Sequence, residues 1–278
     1  MKLCLNQATA MPYGLEETIR ASAAAGIEHI GVWVEPVQEA GPAAVRRWLN
    51  DSGLTATSMS RVGFLTNKRG VELSAAYDAV RSALEMCAEL SIPTLSFVAG
   101  GLPEHDRSIR NAEGRVRDAF ETLLPDIVSS GVQVMLEPIH PLFVNDRSII
   151  TTVGQALRVI DGLPAEQVGV LVDSWATFWD PEFEDSVARA GSQGRLSGYQ
   201  INDFKLPLPA PNNMQSRLQP GDGVIDLVAM TRTMLEAGYT GPIEVEIFND
   251  DIWAQPLDVI LRQTVEAYDR VIVQNLVR

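Results

Sequence analysis

A chain of 278 residues, 46% of them apolar, is long enough to bury a large core as one big domain or two small ones. Its formal charge of −14, from 22 Lys and Arg against 36 Asp and Glu, repels phosphate backbones, and no basic run offsets it locally, so nucleic acid is not an expected partner. The opening MKLCLNQATAMPYG has no long apolar core before a cleavage site, no run reaches membrane-spanning length, and Cys4 and Cys87 are too few for a disulfide framework; a soluble protein of a reducing cytoplasm, without a membrane partner, is expected.

From one end to the other, short β-branched runs alternate with longer amphipathic segments. In chain order the expected strands are LCLNQAT (3–9), HIGVWVE (29–35), ATSMSRV (56–62), TLSFVAG (94–100), QVMLEP (133–138), VGVLVDSW (168–175), LSGYQIND (196–203) and IEVEIF (243–248). Between them GLEETIRASAAAG, PAAVRRWLNDSG, ELSAAYDAVRSALEMCAELS, RNAEGRVRDAFETLLPDIVSSG, TVGQALRVIDGLP, EFEDSVARAG and GVIDLVAMTRTMLEAG carry apolar residues at helical spacing, and PLDVILRQTVEAYDRVIVQNL follows the last strand. Several close on Gly, as helix C-termini do. Eight βα units predict a closed (βα)8 TIM barrel in a single domain, 1–278. The rival open doubly wound sheet lacks its Gly-rich turn after the first strand. The one long irregular stretch, LPLPAPNNMQSRLQPGDG (206–223), follows strand 7 and is a candidate lid.

A barrel of this kind places its active site at the C-terminal ends of the strands, which sorts the polar residues. Glu137 ends strand 5, Asp173 ends strand 6, Gln200 lies late in strand 7 with Asp203 just beyond, and Glu246 is near the end of strand 8. His29 opens strand 2, at the wrong end, and reads as a capping or packing residue. Three carboxylates and an amide oxygen are hard donors, suited to an octahedral divalent ion: Mn²⁺ first, with Mg²⁺ or Co²⁺ as alternatives, and zinc disfavoured without His or Cys. The bland alternative is four separately hydrogen-bonded strand ends.

The motifs LEPIHP, VDSWATFWDP, YQIND and GDGVIDLVAMTRTMLEAGYTGPIEVEIF resemble the xylose-isomerase-like barrel superfamily of sugar isomerases and epimerases over the whole chain. The resemblance implies Glu137, Asp173, Gln200 and Glu246 as metal ligands. Two positions depart from the pattern: Gln200 replaces a histidine, and Ala176 stands where a second, sugar-holding histidine is usual. A histidine in Glu-Pro-x-His-Pro is similar to the catalytic α subunits of C-glycoside deglycosidases, which implies a small β subunit as partner and a C-glycoside as substrate.

Both chemistries begin with abstraction of the proton beside a metal-polarised ketone. In epimerisation Glu137 and Glu246 would exchange the proton on opposite faces through a metal-stabilised enediolate. In a carbon–carbon lyase His140 would be the base, and the enolate of a 3-oxo-C-glycoside would expel its aglycone; the alternative for His140 is a hydrogen bond to the loop backbone. Elimination is the expected chemistry, with the sugar epimerase or isomerase as its alternative. Lys205 and Arg147 are candidates for sugar hydroxyls or a developing oxyanion, or surface charges; His105 is a further candidate in the loop after strand 4. Trp33, Trp175 and Trp179, with Trp253 after strand 8, offer flat walls for a ring, or core packing. A DNA-repair endonuclease of the same fold would need a histidine cluster and a basic face, and three histidines with a charge of −14 exclude it.

Overall fold

Eight parallel strands close on themselves in the computed structural model, which describes residues 1–104 and 106–276. They are β1 (Leu3–Asn6), β2 (His29–Trp33), β3 (Thr55–Gly63), β4 (Thr94–Val98), β5 (Gln133–Leu136), β6 (Val168–Asp173), β7 (Leu196–Ile201) and β8 (Ile243–Val245). Each pairs with its neighbours in sequence, and β8 closes the ring on β1 with Leu3 opposite Ile243 and Leu5 opposite Val245. This is the expected TIM barrel.

Eight helices cover the outside: α1 (Leu15–Ala24), α2 (Pro42–Ser52), α3 (Gly70–Leu90), α4 (Ile109–Ser130), α5 (Val153–Val159), α6 (Phe183–Ser192), α7 (Leu227–Glu236) and α8 (Leu257–Tyr268). Their apolar stripes, such as Val80, Leu84 and Cys87 of α3 or Val116, Phe120 and Leu123 of α4, are buried between helix and strand, where the main core lies. None of the described helices is long and apolar enough to cross a membrane.

Seven of the eight strands are shorter at their C-terminal ends than expected, because the chain leaves the ladder there to build loops. The segment after β7 is organised rather than loose. Asp203–Phe204 pairs antiparallel with Arg217–Leu218, and the Asp203 carboxylate accepts from the amides of Gly221 (3.0 Å), Ile225 (2.9 Å) and Phe204 (2.8 Å). Asp203 is therefore the anchor of the 206–223 segment.

The barrel interior is polar along much of its length. Below the strand ends Glu244 accepts from Asn6 Nδ2 (2.6 Å), Ser58 Oγ (2.5 Å), Gln200 Nε2 (2.7 Å) and, more weakly, Cys4 Sγ (3.5 Å). Gly31 makes room for it: a Cβ there would meet Glu244 Oε2 and Ser58 Oγ at 2.6 Å, closer than real Cβ atoms come. A cavity of about 230 Å³ at this lower end is lined by Ser58, Thr94, Ser197, Gln200 and Glu244 among others.

Candidate active site

At the upper end, Glu137, Asp173 and Glu246 converge, with donor atoms all within 4.8 Å of one another. All three side chains are buried. Glu137 continues β5 by donating its amide to Phe97 O (3.0 Å), and Glu246 continues β8 by donating to Ile201 O (3.3 Å). Asp173 ends β6, where Oδ1 caps a short helical turn by accepting from Trp175 N (2.9 Å) and also accepts from Asn202 Nδ2 (3.1 Å).

One buried cation stands among the three acids. Arg217 places Nη2 2.8 Å from Asp173 Oδ2 and Nη1 2.6 Å from Glu246 Oε2. Its backbone is fixed by the ribbon and by Asn249 Nδ2, which donates to Arg217 O (2.9 Å), while Trp175 and Phe248 lie under its guanidinium at 5.1 and 4.9 Å. Burial works against the charge of Arg217, but Asp173, Glu246 and Glu137 together hold its pKa above the ordinary value. Sequence reasoning passed over it because an arginine in an irregular segment reads as solvated. The available signal was that Arg217 is the one basic residue of 206–223.

A single guanidinium does not balance three carboxylates. Glu137 accepts one hydrogen bond, from Ser96 Oγ at 3.2 Å, and burial with the charges of Glu246 and Asp173 pushes its pKa well up. Glu246 is pushed up to about 7, by burial first, with Arg217 opposing and Asp173 and Glu244 adding to the rise. A crowded set of buried, hard oxygen donors in excess over its counter-charge fits a divalent cation, which would relieve the repulsion that now raises both glutamates. Gln200, in register with Asp173, leaves its Oε1 buried without a hydrogen-bond partner among the described residues.

Above the acids lies a cavity of about 310 Å³, lined by Glu137, Glu246, Arg217, Ser60, Ser96, Ile139, Arg61, Arg147, Trp33, Phe64 and Phe248, with Met11, Val98, Asn212, Met214 and Gln215 completing the wall. The expected lid contributes Asn212, Met214, Gln215 and Arg217. Of the expected substrate-contacting residues, Trp33 and Arg147 line the cavity, Trp33 with its Nε1 donating to Asn6 Oδ1 at 2.8 Å. His105 lies outside the described residues.

Five residues expected to meet the substrate lie off the cavity wall. Lys205 is exposed beyond the ribbon and is absent from the cavity wall. Trp175 is fully buried, donates to Ser216 Oγ (2.8 Å) and backs Arg217 rather than meeting the cavity. His140 turns away from the acids: its ring packs against Trp175 (5.1 Å), Phe204 (5.9 Å), Trp179 (6.1 Å) and Phe178 (6.4 Å), and its Nδ1 accepts from Leu142 N (3.3 Å). The cause is side-chain alternation. The chain stays extended past Pro138, with Ile139 N donating to Ile150 O (2.9 Å), so Glu137 and Ile139 face the cavity and His140 faces the other way. Burial lowers the His140 pKa to about 4. Trp179 donates to Ala176 O and Trp253 to Ala8 O, both outside the cavity wall. His29 sits at the opposite end of the barrel, and neither ring nitrogen has a hydrogen-bond partner among the described residues.

With this geometry, comparison with known proteins decides the family. Residues 19–270 match the family described as Xylose isomerase-like TIM barrel. The chain belongs to that family. An inosose isomerase of Bacillus velezensis is 22% identical over 98% of this chain and 97% of its own length, and one of Halalkalibacterium halodurans is 21% identical over 91% and 90%. The crystal structure of a Sinorhizobium meliloti protein matches with a TM-score of 0.91 at 33% identity, covering 97% of this chain and 98% of that one. A zinc-bound IolI protein matches in fold with a TM-score of 0.86 at 18% identity over the full length of both chains. These relatives support the family and not the expected nearness to C-glycoside deglycosidases, since the named ones are inosose isomerases.

Proposed function

We propose that the chain is a divalent-metal-dependent isomerase or epimerase of a small polyhydroxy ketone, a ketose or a keto-cyclitol. The observation that carries this is the convergence of Glu137, Asp173 and Glu246 beneath a small, aromatic-walled cavity. Glu137, Asp173 and Glu246 would hold the ion, with Gln200 Oε1, buried beside Asp173 without a hydrogen-bond partner among the described residues, as the fourth donor. Manganese, magnesium, cobalt and zinc all meet the demands of such oxygen donors closely enough for the donor set to leave the choice open. Bound there, the ion would polarise the substrate carbonyl and make the neighbouring C–H acidic.

The protein residues divide the remaining work. Glu137 and Glu246 come from strands three apart around the barrel and meet the cavity from different sides, so one takes a proton from the carbon beside the carbonyl while the other is placed to return one. Arg217 holds Glu246 and Asp173 in position, and Ser96 holds Glu137. Trp33, Phe64 and Phe248 supply flat apolar walls for the carbon face of a sugar ring, in a volume at the small end of ligand cavities. The elimination reading depended on His140 as base, and its ring lies in the aromatic cluster instead.

The test is solvent exchange. Metal-loaded protein incubated in deuterium oxide with an inosose or with D-fructose is expected to replace the proton next to the carbonyl, followed by NMR, and to stop doing so after chelation or in Glu137→Gln. Release of aglycone from a 3-oxo-C-glycoside, with no exchange into either ketone, would reinstate elimination and remove this reading.

A further inference from the structure

The upper cavity does not share the charge of the chain around it. The protein carries a formal −14, yet three arginines, Arg217, Arg61 and Arg147, line this one cavity. Arg217 is committed to Asp173 and Glu246. The other two are not. Among the described residues Arg147 makes no ion pair and its guanidinium makes no hydrogen bond; its one close neighbour of note is the Phe143 ring at 5.9 Å. Arg61 lies over Trp33 at 4.7 Å and over Phe64 at 5.4 Å. Its ion pair, with Glu35 at 3.3 Å, is to a side chain 65% exposed and is weakened by water.

Arg61 and Arg147 line the same cavity, and burial first, then the charge of Arg61, lower the pKa of Arg147. A structural arginine is ordinarily satisfied by carbonyls or carboxylates, as Arg195 is here by Val168 O and Leu163 O. Arg147 has the donors of such a residue but, among the described residues, no acceptor within hydrogen-bond distance; the carboxylates of Asp146 and Glu137 act on its charge without pairing with it. Two planar forks with free N–H groups at the wall of a small cavity match a carboxylate or a phosphate, which each guanidinium can hold with paired hydrogen bonds.

We infer that the substrate is an anion: a hydroxy-ketone of sugar size bearing a carboxylate or a phosphate, which Arg61 and Arg147 grip while the ketone end reaches the three carboxylates. The ketone end rests on the isomerase reading; the anion grip rests on the two arginines alone. Trp33 and Phe64 lie under Arg61 and fix its plane, so the cation and the flat wall form one surface, suited to a ring with a charged substituent.

The experiment is calorimetric binding to the metal-loaded full chain in phosphate-free buffer, with D-fructose, D-fructose 6-phosphate and D-fructuronate as a matched neutral, phosphate and carboxylate set. At least one anion is expected to bind about tenfold or more tighter than D-fructose, and which one does so identifies the charged group. That preference should shrink as salt is raised and be lost, by about tenfold, in both Arg147→Gln and Arg61→Gln. Two separate variants, each checked for an unchanged melting temperature, keep the test open if one fails to fold. Equal binding of all three ligands, no binding of either anion, or a preference that survives both substitutions would overturn the inference. Arginine-dependent anion binding without proton exchange beside the carbonyl would keep it and remove the isomerase reading; exchange into neutral ketones without anion preference would do the reverse.

Discussion

Glu244 and Glu246 stand two residues apart on one strand line, both inward-facing and nearly equally buried at 6% and 5% exposure, yet they live in opposite surroundings. Glu244 is met by four neutral donors, from Cys4, Asn6, Ser58 and Gln200. Glu246 shares its end of the barrel with Glu137, Asp173 and one guanidinium. Hydrogen-bond saturation makes a buried acid part of the scaffold, whereas crowding by like charge leaves it ready to take a cation or a proton. The same side chain is structural in one layer and, on the function proposed above, chemical in the next.

Breaking the upper layer should have the largest effect on stability. Arg217→Met removes the only cation that, among the described residues, forms ion pairs with the acids and is expected to destabilise the metal-free protein by about 3–5 kcal/mol, in a denaturant titration, with much of the loss recovered on adding Mn²⁺. A change below about 1 kcal/mol would mean the acids are already neutral in pairs. Next comes pH. The Glu246 pKa is raised from the ordinary 4.5 to about 7, so between those values the folded state keeps a proton that the unfolded state has lost. The Glu246 contribution should therefore make metal-free protein less stable as pH rises through that window, and saturating metal should abolish the slope, as read by melting temperature at fixed ionic strength.

The lower layer should respond differently. Glu244→Gln replaces an acceptor of four donors by a side chain that cannot accept from all of them, and is expected to cost about 1–3 kcal/mol with a much smaller effect on metal affinity than Glu246→Gln. The smallest effect falls on the aromatic cluster. His140→Phe should keep proton exchange within about threefold of the parent, measured by deuterium incorporation, whereas a loss of about a hundredfold or more would restore His140 as a base.

How far these regions could be read in advance follows from what each depends on. The alternation of short apolar runs and amphipathic segments gave the eight βα units in order, because strand period and helix period are local properties. Glu137, Asp173 and Glu246 were legible for a related reason, since strand ends in such a barrel are brought together by the fold itself. Arg217 was not, because its burial depends on a two-residue pairing with Asp203–Phe204 that has no local signature. The direction of His140 was not legible, because the backbone keeps its alternation for two residues beyond Glu137 through the Ile139–Ile150 hydrogen bond, a contact distant in sequence that turns the imidazole away from the cavity. The distinction between Glu244 and Glu246 lies in partners drawn from β1, β3 and β7, which no window along the chain contains.

The most direct measurement is a calorimetric titration with Mn²⁺ at a pH of about 8, above the raised value of Glu246, comparing the parent protein with Glu246→Gln and Glu244→Gln. One ion should bind the parent and Glu244→Gln with similar affinity, while Glu246→Gln should lose about tenfold or more. Equal loss in both variants, or retention in Glu246→Gln, would contradict the division of the barrel interior into a structural layer and a metal-binding one.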